Sequence, residues 1–334
     1  MENELDTYKK NRIKNLIKNF NSKSSTLKSL LRNSLGKIKN TTLRTKQKQT
    51  QINNLVNSYN NTINILKQTL NEDIKNINAF TPKPITLTPT NKKNALLVGI
   101  NYTGTENELF GCINDVNSIN NKIYQTFDNI TIITDLTYLK PTKKNILDEL
   151  KTLLMNSSTG DFLFFLYSGH GSYILDKNND ENTPYDQLIV SCDFNVILDD
   201  ELKSIIQSNL KNDVTLFCMF DSCFSGSVLD LRYQYMDSLN YDNFTENVKE
   251  NETVGNIFMI SGCNDYQTST EISTNNKTNG AMTWSLLEVL KQSPNCSWRE
   301  LLKNMRNLLK KNNFEQIPQF SSGTFMNIDT LVFI

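Results

Sequence analysis

From residue 94 onward, short apolar runs alternate with segments of helical periodicity, and this alternation constrains the fold more than any other feature. Runs of about four to eight apolar residues between polar or glycine residues predict buried strands. Strands that alternate with helices predict an α/β fold, with a mostly parallel central sheet and helices on both of its faces. The runs are NALLVGI (94–100), NITIIT (129–134), DFLFFLYSG (161–169), QLIVSC (187–192), DVTLFCMF (213–220) and NIFMISG (256–262).

The first 80 residues have a different character and predict an α-helical extension. They are rich in Asn and Lys, and their apolar residues recur at helical spacing, which indicates one or two long helices broken around Gly36. Residues 81–93 begin with three prolines in ten residues and predict an extended linker. The sequence therefore predicts a helical extension over 1–80, a linker over 81–93 and an α/β domain over 94–334.

Charge divides the chain in the same place. Residues 1–90 contain 16 Lys and Arg against 5 Asp and Glu, whereas residues 91–334 contain 19 against 30. The extension is therefore either a solvated appendage or a basic arm that contacts nucleic acid, anionic lipid or an acidic protein partner. No aromatic residues are interleaved with the basic ones in the pattern that would support base stacking.

Several classes of protein are disfavoured by composition. No apolar run approaches the roughly 18 residues of a membrane helix, and the polar start MENELDTYKKN is unlike a secretory signal. Six cysteines without a CxxC pair favour reduced thiols and a cytoplasmic location. The chain has one histidine, which excludes multi-histidine zinc sites and means that any catalytic histidine has to be His170.

Two of the apolar runs end in reactive side chains. FLFFLYSGHG leads into His170, and TLFCMFDSC leads into Cys223. If the two strands are parallel neighbours, both side chains emerge at one edge of the sheet, where an imidazole can deprotonate a thiol. The backbone N–H groups of Gly171 and Cys223 could then stabilise an oxyanion. A lone histidine or a buried cysteine is more often structural, but the pairing of the two strand ends favours catalysis.

These motifs resemble the metacaspases, in the caspase-like clan of cysteine peptidases. The resemblance extends over most of residues 94–330 and implies a caspase-like fold, while the first 90 residues lie outside it. A short intervening loop, at about 232–255, is similar to that of the type I members. The motifs that carry the resemblance are YSGHGS, FDSCFSGSVLDL, LFGCINDV, DQLIVSCDF, VILDDEL, MISGCNDYQTS and NGAMTWSLLEVL.

The resemblance implies an endopeptidase that cleaves protein or peptide substrates after Arg or Lys. His170 would be the general base and Cys223 the nucleophile, and the enzyme would be a monomer capable of processing itself, with Lys83 and Lys249 as candidate cleavage sites. Two carboxylates in a small pocket would select a cation and repel an acidic side chain. The implied substrate-binding residues are Cys112, Asp115, Ser168 and Asp221. Alternatively, Asp221 is a turn or cap residue.

The resemblance also implies activation by calcium. Carboxylate oxygens suit Ca²⁺, and an ordered metal site would order the loops of the active site. Alternatively, the acidic group at the start of ILDDEL marks a helix N-terminus. The implied ligands are Asp186, Asp199, Asp200 and Asp230.

One departure from the family pattern lies next to the nucleophile. Phe224 stands where the family often has His, and we expect the change to alter the lining of the cleft without removing activity. The alternative to an enzyme is a catalytically silent caspase-like scaffold whose basic helices bind nucleic acid, anionic membrane or an acidic partner. A scaffold would be free to lose His170 or Cys223, and both are present.

Overall fold

The computed structural model describes residues 2–79, 91–175, 185–223, 228–237, 240–246, 252–262, 271–274, 277–326 and 328–332. The chain divides into two compact units, Met1–Lys83 and Pro84–Ile334. The first unit contains helices only, and the second contains the strands and the remaining helices of the described residues. Within these residues, no helix combines the length and the apolar character needed to cross a membrane.

The first unit is an antiparallel pair of long helices, α1 (Glu2–Lys39) and α2 (Thr45–Ala79). Their opposite ends are joined by side chains, since Lys9 Nζ donates to the Asn78 carbonyl at 2.8 Å and Lys48 Nζ donates to the Lys39 carbonyl at 3.1 Å. The prediction of one or two long helices is therefore confirmed with two, and the break expected around Gly36 follows the end of α1 at Lys39.

The chain leaves helical geometry four residues beyond Gly36, at 40–44. A single glycine costs a helix only about 1 kcal/mol relative to alanine, so Gly36 is tolerated near the end of α1. Thr41 Oγ1 then donates to the carbonyl of Ile38 at 2.7 Å, which satisfies one of the carbonyls left without a partner at the helix end.

The second unit is built on an eight-stranded sheet with the order β2-β1-β3-β7-β10-β13-β8-β9. The first five strands in this order are parallel, and the last three join them in antiparallel pairings. Its elements are β1 (Lys93–Gly99), α3 (Cys112–Ile123), β2 (Asn129–Thr134), α4 (Lys143–Met155), β3 (Phe162–Ser168), β4 (Gly171–Leu175), β5 (Tyr185–Val190), β6 (Val196–Leu198), α5 (Asp199–Asn209), β7 (Thr215–Asp221), β8 (Tyr233–Asp237), β9 (Asn240–Glu246), β10 (Asn256–Ser261), β11 (Glu271–Thr274), β12 (Lys277–Gly280), α6 (Ala281–Gln292), α7 (Trp298–Lys311) and β13 (Gln319–Ser322).

The central strands β1, β3, β7 and β10 are buried on both faces because helices cover both sides of the sheet. Alternate residues of a strand point to opposite faces, so Phe164 of β3 packs with α3, α6 and α7, whereas Phe165 packs with α4 and α5. The same alternation separates Leu97 from Leu96 on β1. Burial on both faces explains why these strands appear in the sequence as continuous apolar runs, and the predicted α/β architecture is confirmed.

The segment at 232–255, expected to be a loop, contains strands β8 and β9 at the antiparallel edge of the sheet. Tyr233 and Tyr235 of β8 are buried while Gln234 between them is half-buried, so the alternation of a half-buried strand is present. The polar residues around these tyrosines conceal the pattern in the sequence.

Candidate active site

The ends of β3 and β7 bring His170 and Cys223 to the same edge of the sheet. The strands are parallel neighbours, and the last pair in their register is Ser168 opposite Asp221. His170 and Cys223 each follow two residues after this pair, and the Gly169 N–H donates to the Asp221 carbonyl at 3.4 Å. Equal offsets from a shared register place both residues in the crevice beyond the carboxyl ends of the strands, where α/β proteins bind ligands.

The backbone of His170 is fixed by two buried tyrosines. Its N–H donates to Tyr102 Oη at 3.0 Å, and its carbonyl accepts from Tyr167 Oη at 2.8 Å. Tyr102 Oη in turn donates to the Val190 carbonyl at 2.6 Å. Tyr102 holds a positive φ of 53°, which is uncommon for a tyrosine and suggests that its position is enforced by these contacts.

The ring of His170 has a defined orientation as well. It packs against the Tyr102 ring with centroids 4.6 Å apart, and its Nε2 lies 2.7 Å from the carbonyl oxygen of Asn107. A carbonyl oxygen only accepts, so Nε2 has to carry the proton of the neutral ring, and Nδ1 keeps its lone pair. Sequence reasoning missed Asn107 and Tyr102, because a main-chain acceptor and a ring contact leave no signal in residue type.

Gly171 and Cys223 approach each other through their backbones. A Cβ added to Gly171 would lie far inside van der Waals contact with the Cys223 carbonyl oxygen and 3.2 Å from its carbonyl carbon. Glycine is therefore required at 171 for space. The two residues expected to form the oxyanion hole are thus neighbours, and Cys223 itself is a half-buried thiol.

Asp115 and Asp221, here called the pocket pair, are buried together beneath this edge of the sheet. Asp115 on α3 is 0% exposed and Asp221 at the end of β7 is 4% exposed. Ser168 Oγ donates to Asp115 Oδ2 at 2.8 Å. Cys112, at the start of α3, is also buried, so all four predicted substrate-binding residues belong to one group.

The pocket pair accepts hydrogen bonds from residues that follow β11. Asn279 Nδ2 donates to Asp115 Oδ1 at 2.9 Å, and the Gly280 N–H donates to Oδ1 at 2.9 Å and to Oδ2 at 3.1 Å. Thr283 donates to Asp221 Oδ2 through its N–H at 2.9 Å and its Oγ1 at 2.7 Å. Sequence reasoning missed these three residues, although they lie in the NGAMTWSLLEVL motif.

Burial and proximity perturb the titration of this group. Burial, followed by repulsion from Asp221, raises the pKa of Asp115 well above its ordinary value, and the hydrogen bonds from Asn279, Ser168 and Gly280 oppose that shift. Burial, with the charge of Asp115 next, also raises the pKa of Cys112. Cys112 therefore stays a neutral thiol near neutral pH, which makes it a poor nucleophile.

A second group of buried carboxylates, here called the acidic cluster, consists of Asp186, Asp199 and Asp230. They are 7%, 1% and 5% exposed. Burial, then repulsion from Asp230, raises the pKa of Asp199 to about 7, although N–H groups of Gln187 and Asp200 donate to its carboxylate at 2.5 and 2.8 Å. Asp200, the fourth predicted calcium ligand, is half-buried.

The side chains of the acidic cluster are of the type that binds a divalent cation, but within the described part of the chain they are not arranged as a set of metal ligands. Buried carboxylates that repel one another are hard oxygen donors of the kind that Ca²⁺ takes. Lys203 Nζ lies 3.7 Å from Asp230 Oδ2 and supplies part of the missing positive charge. Among the described residues, no three His, Cys, Asp or Glu side chains are arranged as a set of metal ligands.

Three residues singled out in the sequence lie outside the described residues. They are the candidate cleavage sites Lys83 and Lys249 and the cleft residue Phe224.

Comparison with known proteins identifies relatives of this arrangement. A family profile described as the metacaspase peptidase C14 domain matches residues 93–232. Metacaspase-1 of Meyerozyma guilliermondii is 32% identical over 70% of this chain and 70% of its own length. Metacaspase-1 of Schizosaccharomyces pombe is 33% identical over 69% of this chain and 67% of its own.

A solved structure supports the fold. The crystal structure of a Geobacter sulfurreducens protein superposes with a TM-score of 0.53 at 24% identity. The superposition covers 72% of this chain and the whole of that one, which shows that the two share a fold.

Proposed function

Because the chain belongs to the metacaspase family of cysteine endopeptidases, we propose that it cleaves proteins after Arg or Lys with His170 and Cys223 as its catalytic dyad. The observation that carries the proposal is the shared register of β3 and β7, from which both residues emerge at equal offset beside a pair of buried carboxylates.

The chemistry follows from the orientation of the His170 ring. With Nε2–H donating to the Asn107 carbonyl, Nδ1 accepts the proton of the Cys223 thiol, and the thiolate attacks the substrate carbonyl carbon. The N–H groups of Gly171 and Cys223 stabilise the oxyanion. The imidazolium then protonates the leaving amine, and water, deprotonated by His170, hydrolyses the thioester and regenerates the thiol.

The pocket pair supports the preference for Arg or Lys. A substrate cation that enters beside Asp115 and Asp221 compensates two buried negative charges, whereas an acidic side chain would add a third. Ser168 and Cys112, which lie beside the pair, have small side chains.

Peptides that differ only in the residue before the scissile bond test this proposal. We expect turnover with Arg and Lys, and kcat/KM at least 100-fold lower with the neutral isostere citrulline or with Asp. Cys223→Ala should abolish turnover, while Cys192→Ala, which alters a half-buried thiol outside the dyad, should retain it. Turnover that survives Cys223→Ala contradicts the mechanism, and a preference for Asp contradicts the pocket.

We further propose that Ca²⁺ binds at the acidic cluster, with Asp186, Asp199, Asp200 and Asp230 as ligands, and that it activates the enzyme. When bound, the ion would supply charge neutralisation and would order the adjacent segments. Both dyad residues are linked to the cluster by short segments. β4 begins at Gly171 and pairs with β5 so that Ile174 lies opposite Asp186, and Asp230 lies seven residues after Cys223.

Calorimetric titration of Cys223→Ala protein with Ca²⁺ tests this site without reference to activity. We expect one site that Asp199→Asn weakens at least tenfold, and little response to Mg²⁺, which prefers a rigid octahedral shell. Binding that is unaffected by Asp199→Asn places calcium elsewhere, and no binding contradicts the proposal.

Self-processing after Lys83 and Lys249 is part of the same proposal. Incubated wild-type protein should yield fragments that end at these residues, and Cys223→Ala should remain intact. Intact-mass spectrometry identifies the ends, and Lys83→Gln and Lys249→Gln should each remove one fragment. Fragments that persist in both variants place the cleavage at other residues.

For the first unit, we propose a role as a basic arm that binds an acidic partner, such as an acidic protein surface. At 100° per residue, six exposed basic residues of α1 fall within a sector of about 80° and span about 43 Å of helix. No Asp or Glu occurs between residues 7 and 71, so nothing acidic interrupts this stripe. It consists of Lys10, Lys14, Lys18, Lys28, Arg32 and Lys39.

Binding to polyglutamate, a DNA duplex and anionic vesicles across a salt series tests the arm. We expect binding that weakens steeply with salt and that replacement of Lys18, Lys28 and Arg32 by Gln weakens. The matched control replaces three exposed basic residues off the stripe, Lys23, Lys37 and Lys67. Equal losses would indicate that net charge alone acts, and no binding would indicate a solvated appendage.

We also propose a monomeric enzyme of the cytoplasm. The thiols of Cys112, Cys192, Cys218 and Cys296 are consistent with a reducing compartment. Light scattering of the purified chain and fractionation of expressing cells test the two statements separately.

A further inference from the structure

We propose that Asn279, Gly280 and Thr283 are positioning residues of the substrate pocket, which hold Asp115 and Asp221 in place and favour their ionised form. The three residues lie in the strap, defined here as residues 277–283, which comprises β12 and the first residues of α6. The inference rests on the proposed preference for Arg or Lys, because it concerns how the pocket for that cation is assembled.

The first support is the set of donors around Asp115. Four hydrogen bonds from Ser168, Asn279 and Gly280 converge on its two oxygens, at 2.8 to 3.1 Å. An ionised carboxylate only accepts, so it is matched by N–H and O–H groups that point at it from several sides. A protonated carboxyl would direct its own hydrogen at one of these donors, so the strap disfavours the neutral form.

The second support is the relation between Asp221 and α6. Gly280 is the N-cap residue of α6 and has no side chain to cap the helix. Asp221, which comes from β7, takes that role, since its Oδ2 accepts from the N–H of Thr283 at the third helical position and from Thr283 Oγ1. The positive end of the helix dipole therefore lies against the pocket pair and favours its negative charge.

The third support is the space at Gly280. A Cβ at this position would overlap Asp221 Oδ2 and would lie 2.6 Å from Asp221 Cγ and 2.8 Å from Asp115 Oδ2. The backbone of Gly280 is thus inserted between the two carboxylates. Its φ of −61° is open to any residue, so glycine is needed here for close approach rather than for conformation.

Taken together, these contacts favour the ionised form of two carboxylates that are buried side by side. Burial and mutual repulsion favour a proton on Asp115, and the neutral donors of the strap oppose that proton. When a donor is removed, the pKa of Asp115 should rise further, and the pocket should lose negative charge at a pH where the wild-type pocket retains it. Affinity for a cationic side chain should fall as a result.

Steady-state kinetics of Asn279→Ala and Thr283→Val test the inference. For the Arg peptide we expect KM to rise about tenfold in each variant, as for the loss of a hydrogen bond to a charged group, while kcat changes less than threefold. For the citrulline peptide the parameters should match those of wild type. Thr283→Ser, which restores the hydroxyl, should return KM to within about twofold of wild type.

The pH dependence of 1/KM separates a charge effect from a loss of packing. For wild type, 1/KM with the Arg peptide should fall as the pH falls and the pocket pair becomes protonated. In Asn279→Ala the midpoint should move to higher pH, because the lost donor had lowered the pKa of Asp115. An unmoved midpoint overturns the inference.

Asn114→Ala is the matched control. Asn114 Nδ2 donates to the Thr278 carbonyl at 2.7 Å and to the Phe110 carbonyl at 3.2 Å, so its amide binds the same strap through main-chain carbonyls and not through the carboxylates of the pocket pair. We expect an unchanged KM and pH midpoint in this variant. If Asn114→Ala and Asn279→Ala have equal effects, docking of the strap is responsible, and the inference is overturned.

The outcomes distinguish this inference from the proposed function. A wild-type enzyme that does not discriminate Arg from citrulline contradicts the proposed specificity. A wild-type enzyme that does discriminate, with unchanged KM in Asn279→Ala and Thr283→Val, contradicts the role of the strap alone. If thermal melting shows that Asn279→Ala fails to fold, the comparison of Thr283→Val with Thr283→Ser decides.

Discussion

The pocket pair and the acidic cluster both bury carboxylates, but the groups around them differ. The carboxylates of the pocket pair accept hydrogen bonds from neutral N–H and O–H groups of Ser168, Asn279, Gly280 and Thr283. In the acidic cluster, main-chain N–H groups donate to Asp199, while the ammonium of Lys203 lies near Asp230. Burial and like charge raise the pKa of Asp199 to about 7.

This difference is consistent with the two cations proposed above. Neutral donors hold the pocket pair in place and oppose its protonation, which fits the proposed binding of a substrate cation. In the acidic cluster, burial and repulsion between carboxylates raise the pKa of Asp199 despite its donors, which fits the divalent ion proposed for that cluster. Substitutions that affect one group and leave the other unchanged test whether the two groups act separately.

The largest expected effect comes from Asp221→Asn. We expect kcat/KM for the Arg peptide to fall about 1000-fold, because loss of one partner of a buried ion pair costs about 3–5 kcal/mol. Asp199→Asn, assayed at saturating calcium, should leave KM for the same peptide within about threefold of wild type. Similar losses in both variants would mean that the two groups act as one site.

The next effect concerns thermal stability in calcium. A ligand that binds only the folded state at 100 times its Kd stabilises that state by about 2.7 kcal/mol, so Tm should rise by roughly 5 °C in wild type. Asp221→Asn should keep this increase and Asp199→Asn should lose it. A loss in Asp221→Asn instead would assign calcium to the pocket pair.

A smaller effect is expected when a residue that contacts His170, rather than either acidic group, is altered. Tyr102→Phe keeps the ring that packs on His170 but removes the oxygen that accepts the His170 N–H. We expect kcat to fall about fivefold with no change in KM for the Arg peptide. Tyr138→Phe, at a fully exposed tyrosine, is the control. A change in KM would show that Tyr102 supports the pocket instead.

The last prediction concerns the protection of a thiol beside the pocket pair. Because burial and the charge of Asp115 raise the pKa of Cys112, it remains a thiol at pH 8, and iodoacetamide should label it at least tenfold more slowly in native than in unfolded protein. Peptide mass spectrometry gives both rates. Rapid native labelling would show that the pocket opens to solvent.

The sequence predicted the parts of this site that depend on strand ends. His170 and Cys223 follow the two longest apolar runs, and a parallel sheet carries such residues to one edge whatever the details of packing. Asp115 and Asp221 were expected together from the family resemblance, and both are buried in one group.

The donors could not be predicted in the same way. Asn279, Gly280 and Thr283 lie about 60 residues after Asp221, and their role depends on hydrogen-bond directions that residue types do not specify. Asn107 contributes a main-chain carbonyl, which every residue has. Similarly, Gly36 lies within α1 and does not mark the last residue of that helix, which is Lys39.

The capping of α6 by Asp221 also bears on how the specificity of such an enzyme can evolve. A change from basic to acidic substrates needs a positive charge in the pocket, but Arg or Lys at position 221 would deprive a core helix of its cap and place a cation at the positive end of that helix. The first substitution toward the new specificity would therefore lower the stability of the folded protein. To lose the proposed basic preference without this cost, α6 would first need a cap of its own, for example Ser or Asp in place of Gly280 after the two carboxylates had moved apart.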